Sequence, residues 1–120
     1  MIREAYYEHP AYVPLVRRAY QLWHELPGVG EAPVIIETGG AFAGPADGEL
    51  VPGILRSARE HGIAVESFTR VDASRRYPWL HFGEDWEILS EPRAGFVYPE
   101  RCIARHLELA AQHDAGIHVD

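Results

Sequence analysis

The chain has no lysine, a single cysteine and no long hydrophobic run. One cysteine excludes an internal disulfide, which fits a reducing compartment and the cytoplasmic location that we expect. No apolar run approaches the roughly 18 residues of a membrane span. The polar residues after Met1 do not form the apolar core of a secretion signal. The net charge of −7 disfavours nucleic acid and anionic membranes as partners.

Sequence motifs for metal binding and nucleophilic catalysis are also missing. Neither His-Glu-x-x-His nor Cys-x-x-Cys occurs among the seven histidines and one cysteine, so we assign no metal site. Cys102 falls in the first turn of a predicted helix, where the helix dipole would lower the pKa of a thiol. No base for it is evident, so we interpret Cys102 as a packing residue. We assign no catalytic residue.

One glycine pattern, at residues 28–33, nearly matches the dinucleotide fingerprint Gly-x-Gly-x-x-Gly. A phosphate-binding loop follows a strand and opens a helix, so that helix N–H groups face the pyrophosphate. Here the pattern follows a predicted helix and leads into a predicted strand. We therefore interpret it as a plain loop and assign no cofactor-binding residue.

Hydrophobic periodicity predicts helices from about Ala11 to Leu26, from about Leu50 to His61, and from Pro99 onward. Gly62 suits the end of the second helix, and Asp72 could cap a short helix over residues 73–76. Strands are predicted at residues 34–37, 40–43, 63–68, 86–90 and 95–98, with the last two joined as a hairpin by residues 91–94. Helices and strands that mix without strict alternation favour an α+β fold.

Two predicted helices carry clear apolar stripes. The first stripe comprises Leu15, Ala19, Leu22, Trp23 and Leu26, and arginines off this stripe, such as Arg17, are expected to face water. The last helix carries Ile103, Leu107 and Ala110 and precedes a strand predicted at Ile117 and Val119. Such a strand–helix–strand unit needs a sheet to cover it, so we expect that part of the fold is missing.

Arg3 and Tyr6 are the candidate binding residues. An arginine can hold a carboxylate with two parallel hydrogen bonds. From residue types alone, a surface arginine in a loose terminus is the alternative.

Seven ordered segments resemble the family of FAD-dependent sarcosine oxidases and N-methyltryptophan oxidases. These segments are Ile2-Arg3-Glu4-Ala5-Tyr6, Tyr12-Val13-Pro14-Leu15, Leu22-Trp23-x-Glu25-Leu26, Thr38-Gly39-Gly40 with Gly44-Pro45, Ala58-x-Glu60-His61, Arg76-Tyr77-Pro78, and Glu91-Pro92-x-Ala94-Gly95 leading into Pro99-Glu100-Arg101-Cys102-Ile103. Together they cover nearly the whole chain.

The resemblance implies oxidation of the C–N bond of N-methyl or related amino acids by FAD, with release of hydrogen peroxide. It implies that Arg3 holds the substrate carboxylate and that Tyr6 lies nearby. In relatives, the flavin-binding loop precedes this stretch, and the oxygen-activating lysine and the FAD-tethering cysteine follow it. The chain alone is therefore expected to be inactive and not to bind FAD tightly.

We accordingly predict one partial domain over residues 1–120. It would hold part of a substrate-binding domain, with antiparallel strands and packed helices, plus the strand–helix–strand element that returns to an FAD-binding sheet. The expected partners are a small amino-acid-like substrate and a complementing chain. The alternative is a free-standing, non-catalytic binding or interaction module.

Overall fold

The computed structural model of the protein describes residues 1–26, 32–116 and 118. Within these residues lie a 3-10 turn at Pro10–Tyr12, four α-helices and five β-strands. The helices are α1 (Val13–Glu25), α2 (Leu50–His61), α3 (Arg70–Arg76) and α4 (Pro99–Gln112). The strands are β1 (Ile35–Glu37), β2 (Gly40–Pro45), β3 (Glu66–Phe68), β4 (Trp86–Glu91) and β5 (Gly95–Val97). The expected α+β class is confirmed.

The strands form two small antiparallel sheets. In the first, β4 lies between β2 and β3, and Leu89 of β4 is opposite Phe42 of β2 and Ser67 of β3. In the second, β1 pairs with β5. The predicted hairpin between residues 86–90 and 95–98 is therefore wrong. A turn does join them, with Ala94 N donating to Glu91 O at 3.2 Å, but the chain crosses there from one sheet to the other.

A second crossing between the sheets occurs where β1 leads into β2, through Thr38 and Gly39 to Gly40, the first residue of β2. Gly39 has a φ of +76°, a conformation that glycine adopts without steric cost. At Gly40 a Cβ would lie 2.7 Å from the Cβ of Ala94, so a side chain has no room there. Because neither glycine has a side chain, the chain can pass from β1 of one sheet to β2 of the other close to Ala94.

The described core lies between α2 and the three-stranded sheet. It contains Phe42, Val51, Ile54 and Leu89, each at most 6% exposed. Burial of side chains of this kind contributes about 1.5–3 kcal/mol each. Gly53 allows α2 to approach the N-terminal segment, because a Cβ there would overlap the carbonyl group of Tyr7. The N-terminal segment is thereby packed against the core.

The boundaries of two helices test the predicted caps. Helix α2 ends as predicted, with Gly62 in the left-handed conformation at φ +63°. Helix α3 starts at Arg70, earlier than predicted, and its cap is Thr69 rather than Asp72. Thr69 Oγ1 accepts a hydrogen bond from the backbone N–H of Asp72 at 3.1 Å, so Asp72 lies inside the first turn.

The apolar stripe of α1 faces away from the described core. Leu15 is 68% exposed and Leu22 is 49% exposed, whereas Val13 and Tyr20 are buried. Arg17, which was expected in water, instead forms a salt bridge to the buried carboxylate of Glu4. This contact directs Arg17 toward the buried Glu4, whereas Arg18 stays exposed, as do Leu15 and Leu22.

Helix α4 likewise exposes part of its apolar stripe. Ile103 is 60% and Leu107 is 45% exposed, whereas Cys102 is buried.

The radius of gyration, 17.6 Å, exceeds the roughly 14 Å of a compact domain of this length. No described helix is long and apolar enough to cross a membrane. Residues 28–31 of the glycine pattern, and Ile117 and Val119 of the predicted last strand, fall outside the described residues.

Candidate functional site

The N-terminal segment that carries the candidate binding residues is held by a backbone bridge. Ile2 N donates to Gly95 O at 2.8 Å, and Gly95 N donates to Ile2 O at 2.9 Å. A Cβ at Gly95 would overlap the backbone carbonyl of Ile36 in β1. A glycine is therefore required where Ile2, β1 and β5 meet.

A buried carboxylate holds the backbone of Glu4 and Ala5, the two residues after Arg3. Glu91, at the end of β4, is fully buried and accepts hydrogen bonds from Glu4 N at 2.5 Å and Ala5 N at 3.0 Å. Burial raises the pKa of Glu91, and the nearby charge of Glu4 raises it further, while the two N–H donors and Arg3 act in the opposite direction. Sequence reasoning missed this role, because residues 91–95 by themselves indicated only a turn.

Arg3 follows the backbone bridge directly and is enclosed by neighbouring side chains. Its Nη2 donates to both carboxylate oxygens of Glu8, at 3.2 and 3.3 Å. The guanidinium lies 4.8 Å from the centre of the Tyr6 ring and 5.1 Å from that of Tyr7. Its Nε is buried and has no acceptor among the described residues. Arg3 thus combines an engaged donor with an unused one.

The structure brings Arg3 and Tyr6 to the same surface cavity, which has a volume of about 200 Å³. Its remaining wall is mainly apolar and aromatic, with contributions from Ile2, Val16, Tyr20 and Trp23. A cationic side chain at one part of a small apolar cavity suits a molecule that has a carboxylate and a compact organic body. The two predicted residues therefore lie where they could contact one ligand together.

A charged cluster beside the cavity joins α1 to the turn after β4. The carboxylate of Glu4 pairs with Arg17 of α1 and, at 3.4 Å, with Arg93 of the turn. Tyr20 donates its hydroxyl hydrogen to Arg93 O at 3.0 Å. Burial, followed by the nearby charge of Glu91, raises the pKa of Tyr20, so its hydroxyl stays protonated as a donor. These contacts fix the wall of the cavity that α1 supplies.

Cys102 and the histidines show no arrangement for catalysis in the described parts of the chain. Burial raises the pKa of Cys102, which disfavours the thiolate that a nucleophile requires. His106 Nδ1 lies 2.7 Å from the backbone oxygen of Cys102, within its own helix. Across residues 1–26, 32–116 and 118, no three His, Cys, Asp or Glu side chains are grouped to hold a metal ion.

The described residues do not fit a flavin dinucleotide. Such a group needs a strand, a glycine-rich turn and a helix whose N–H groups face the pyrophosphate. Three described strands lead directly into helices: β2 into α2 through residues 46–49, β3 into α3 through Thr69, and β5 into α4 through Tyr98. Only the first of these turns contains a glycine, Gly48, and none carries the Gly-x-Gly-x-x-Gly pattern. We therefore assign no FAD contact to this part of the chain.

Comparisons with known proteins identify similar enzymes. No family model matches the chain. It is 37% identical over 118 residues to monomeric sarcosine oxidase of Streptomyces avermitilis, covering 98% of this chain and 31% of that protein. It is 35% identical over 112 residues to N-methyl-L-tryptophan oxidase of Salmonella arizonae, covering 93% and 30%. Monomeric sarcosine oxidase of a Bacillus species is 30% identical over 118 residues, covering 98% and 30%. The chain thus spans about 30% of the length of these relatives.

Proposed function

Because the chain matches, along nearly all its length, part of the sarcosine oxidase and N-methyltryptophan oxidase family, we propose that it is a fragment of an FAD-dependent amine oxidoreductase. The whole protein would oxidise the C–N bond of an N-methyl or related amino acid and produce hydrogen peroxide. This chain would contribute part of the substrate site and would be inactive alone. The observation that carries the proposal is this match over 93–98% of the chain, and the placement of Arg3 and Tyr6 on one cavity supports a substrate site.

The proposed task of Arg3 is to bind the substrate carboxylate. A guanidinium offers five N–H donors in a planar fork that matches the two oxygens of a carboxylate. Glu8 already engages one nitrogen of that fork, Nη2. The Nε donor has no acceptor among the described residues. Tyr6, whose ring contacts the guanidinium, would limit the directions from which a carboxylate approaches.

The exposed apolar faces of α1 and α4 support the interpretation as a fragment. We use the term uncovered faces for Leu15 and Leu22 of α1 together with Ile103 and Leu107 of α4. Exposed apolar residues on two amphipathic helices, the first and the last of the described chain, indicate a surface that another part of a protein covers. We propose that the remaining part of a family-length protein covers them, in the same polypeptide or as a complementing chain.

FAD and a cytoplasmic location are parts of the same proposal. The cofactor would bind to the rest of the protein, since the described residues lack a pyrophosphate cradle. The chain alone should therefore not bind FAD tightly. An absorbance titration that gave stoichiometric, tight FAD binding by this chain would contradict the proposal.

A free-standing binding or interaction module is the second candidate. It is favoured by the closed core between α2 and the three-stranded sheet, in which Ile54 and Leu89 are 0% exposed. A module of this kind should melt cooperatively as a monodisperse monomer. A fragment with uncovered apolar faces should instead bind the dye ANS or self-associate.

Complementation tests the leading proposal directly. The sarcosine oxidase of Streptomyces avermitilis would be produced without the stretch that matches this chain, with and without this chain co-expressed. We expect flavin retention and sarcosine-dependent peroxide formation only when both parts are present. Equal activity with and without this chain, or a complex that binds flavin but makes no peroxide, would argue against it.

A further inference from the structure

The carboxylate of Glu91 lies apart from the candidate ligand cavity, yet it contacts the backbone between the two candidate binding residues. Glu4 and Ala5, whose N–H groups it accepts, stand between Arg3 and Tyr6 in sequence. The segment forms no extended strand there, and its one ladder contact is the bridge at Ile2. Glu91 is thus the main partner for these two N–H groups.

We propose that Glu91 is a positioning residue, which fixes the backbone of Glu4 and Ala5 so that Arg3 and Tyr6 face the same carboxylate ligand. This inference rests on the proposed function of Arg3. Two successive N–H groups directed at one carboxylate define the orientation of both peptide planes. The Cα–Cβ directions of the flanking residues follow from those planes. Tyr6 N also donates to Glu4 O at 2.9 Å, which tightens the turn between them.

The cost of burying Glu91 argues that it does more than fill space. No arginine, lysine or histidine forms a salt bridge with its carboxylate among the described residues, and Glu4, a second acid, lies beside it. A buried carboxylate without a direct cationic partner lowers stability compared with an apolar residue of similar size. The two N–H contacts offset part of this cost. A requirement for one backbone geometry explains why an acid serves at this position.

Glu91 is also close in sequence to Gly95, the residue that holds Ile2. It ends β4, and four residues later Gly95 forms the bridge to Ile2. The end of β4 and the start of β5 therefore hold the segment on both sides of Arg3, at Glu4 and at Ile2. The N-terminal segment is fixed by residues about 90 positions away in the sequence, and Arg3 is held between these anchors.

The test compares Glu91→Gln and Glu91→Asp with Glu87→Gln, which changes an exposed glutamate on the same strand. Glutamine keeps the size but offers one acceptor oxygen, and aspartate keeps the charge but is shorter. NMR spectra of the whole chain would follow the amide protons of Glu4 and Ala5, the Arg3 Nε resonance and the Tyr6 ring. Titration with sarcosine would measure binding by the same resonances.

We expect both Glu91 variants to shift the Glu4 and Ala5 amide protons upfield and to change the Arg3 and Tyr6 resonances. The affinity for sarcosine should fall about tenfold, the effect of losing a hydrogen bond to a charged group. Glu87→Gln should change neither these resonances nor the affinity for sarcosine. Unchanged Arg3 and Tyr6 resonances in both Glu91 variants would overturn the inference. If the isolated wild-type chain does not bind sarcosine, its part of the substrate site is insufficient for binding, and the Arg3 and Tyr6 resonances still decide whether Glu91 positions them.

Amide hydrogen exchange of the wild-type chain provides a measurement that does not depend on folded variants. The amides of Glu4 and Ala5 should be protected although they lie outside helices and strands, because a buried carboxylate accepts them. Exchange at the rate of unprotected loop amides would overturn the proposed anchoring.

Discussion

Arg3 Nη2 donates to both carboxylate oxygens of Glu8, which therefore occupies part of the fork proposed for a substrate carboxylate. The Glu8 side chain is 41% exposed, whereas that of Arg3 is 20% exposed. The Glu8 carboxylate can thus move into water while the Arg3 guanidinium stays in place. An incoming carboxylate would have to displace Glu8, because the remaining Nε donor is buried.

Glu8→Gln should therefore strengthen carboxylate binding. The variant removes a competing negative charge, and a partly exposed pair of this kind contributes up to about 1 kcal/mol, which is roughly a fivefold change in affinity. Sarcosine titration monitored by NMR would measure it, with the exposed Glu25→Gln as the matched control. Weaker binding in Glu8→Gln would show that Glu8 supports the ligand instead of competing with it.

Gly95→Ala should destabilise the chain by about 2 kcal/mol, because the new Cβ would overlap the Ile36 carbonyl and force the Ile2 bridge apart. Gly44→Ala is the control, since its Cβ would meet Leu50 at an ordinary 3.8 Å. Urea unfolding of both variants gives the comparison. Equal stabilities would mean that the junction of Ile2, β1 and β5 adapts to a side chain.

The stability difference between the wild type and Glu91→Gln should depend on pH. Burial raises the pKa of Glu91 above the usual 4.5. A carboxyl of raised pKa stabilises the fold most when protonated, and this contribution is lost as pH rises through the raised pKa. The wild type should therefore lose stability relative to Glu91→Gln as pH rises above the usual carboxyl pKa of 4.5.

Thermal or urea unfolding across that pH range measures the effect. Glu87→Gln is the control, and its stability difference from the wild type should stay flat. If the wild type instead gains stability relative to Glu91→Gln as pH rises, the predicted direction is wrong. The two N–H donors would then lower the pKa of Glu91 by more than burial raises it.

Polar substitutions on the uncovered faces should leave the isolated chain as stable as before. Ile103→Gln and Leu22→Gln change residues that are 60% and 49% exposed, so each should alter the free energy of unfolding by less than about 0.5 kcal/mol. Both should reduce ANS binding and impair complementation. Ile54→Ala, in the core, should cost about 2–5 kcal/mol. A large loss of stability in Ile103→Gln would show that α4 is covered within this chain.

Local sequence patterns predicted most of the secondary structure. The α2 boundaries, the left-handed Gly62 and the start of α4 at Pro99 were correct, because each depends on neighbouring residues. The pairing of the strands was predicted wrongly, because β4 and β5 are joined by a turn yet belong to different sheets. The partner of β5 is β1, about 60 residues earlier, and no local pattern reports such pairing.

The candidate site was predictable only in part. The resemblance singled out Arg3 and Tyr6, and the structure places them on one cavity. Glu91 was missed because its partners are backbone N–H groups, which carry no residue-specific pattern. Arg17 was placed in water because the periodicity of α1 reports only apolar spacing. Its pairing with the buried Glu4 depends on tertiary structure.

The most direct test of the account replaces the 118 matched residues of the Streptomyces avermitilis sarcosine oxidase with this chain. Peroxide formation from sarcosine would be measured with Arg3, with Arg3→Lys, and with Arg18→Lys as a control on the exposed side of α1. We predict that Arg3→Lys alone raises KM by about tenfold or more at unchanged flavin content, because lysine cannot form the paired hydrogen bonds. An active chimera whose KM is the same with lysine at position 3 would contradict the assignment of Arg3 as the carboxylate-binding residue.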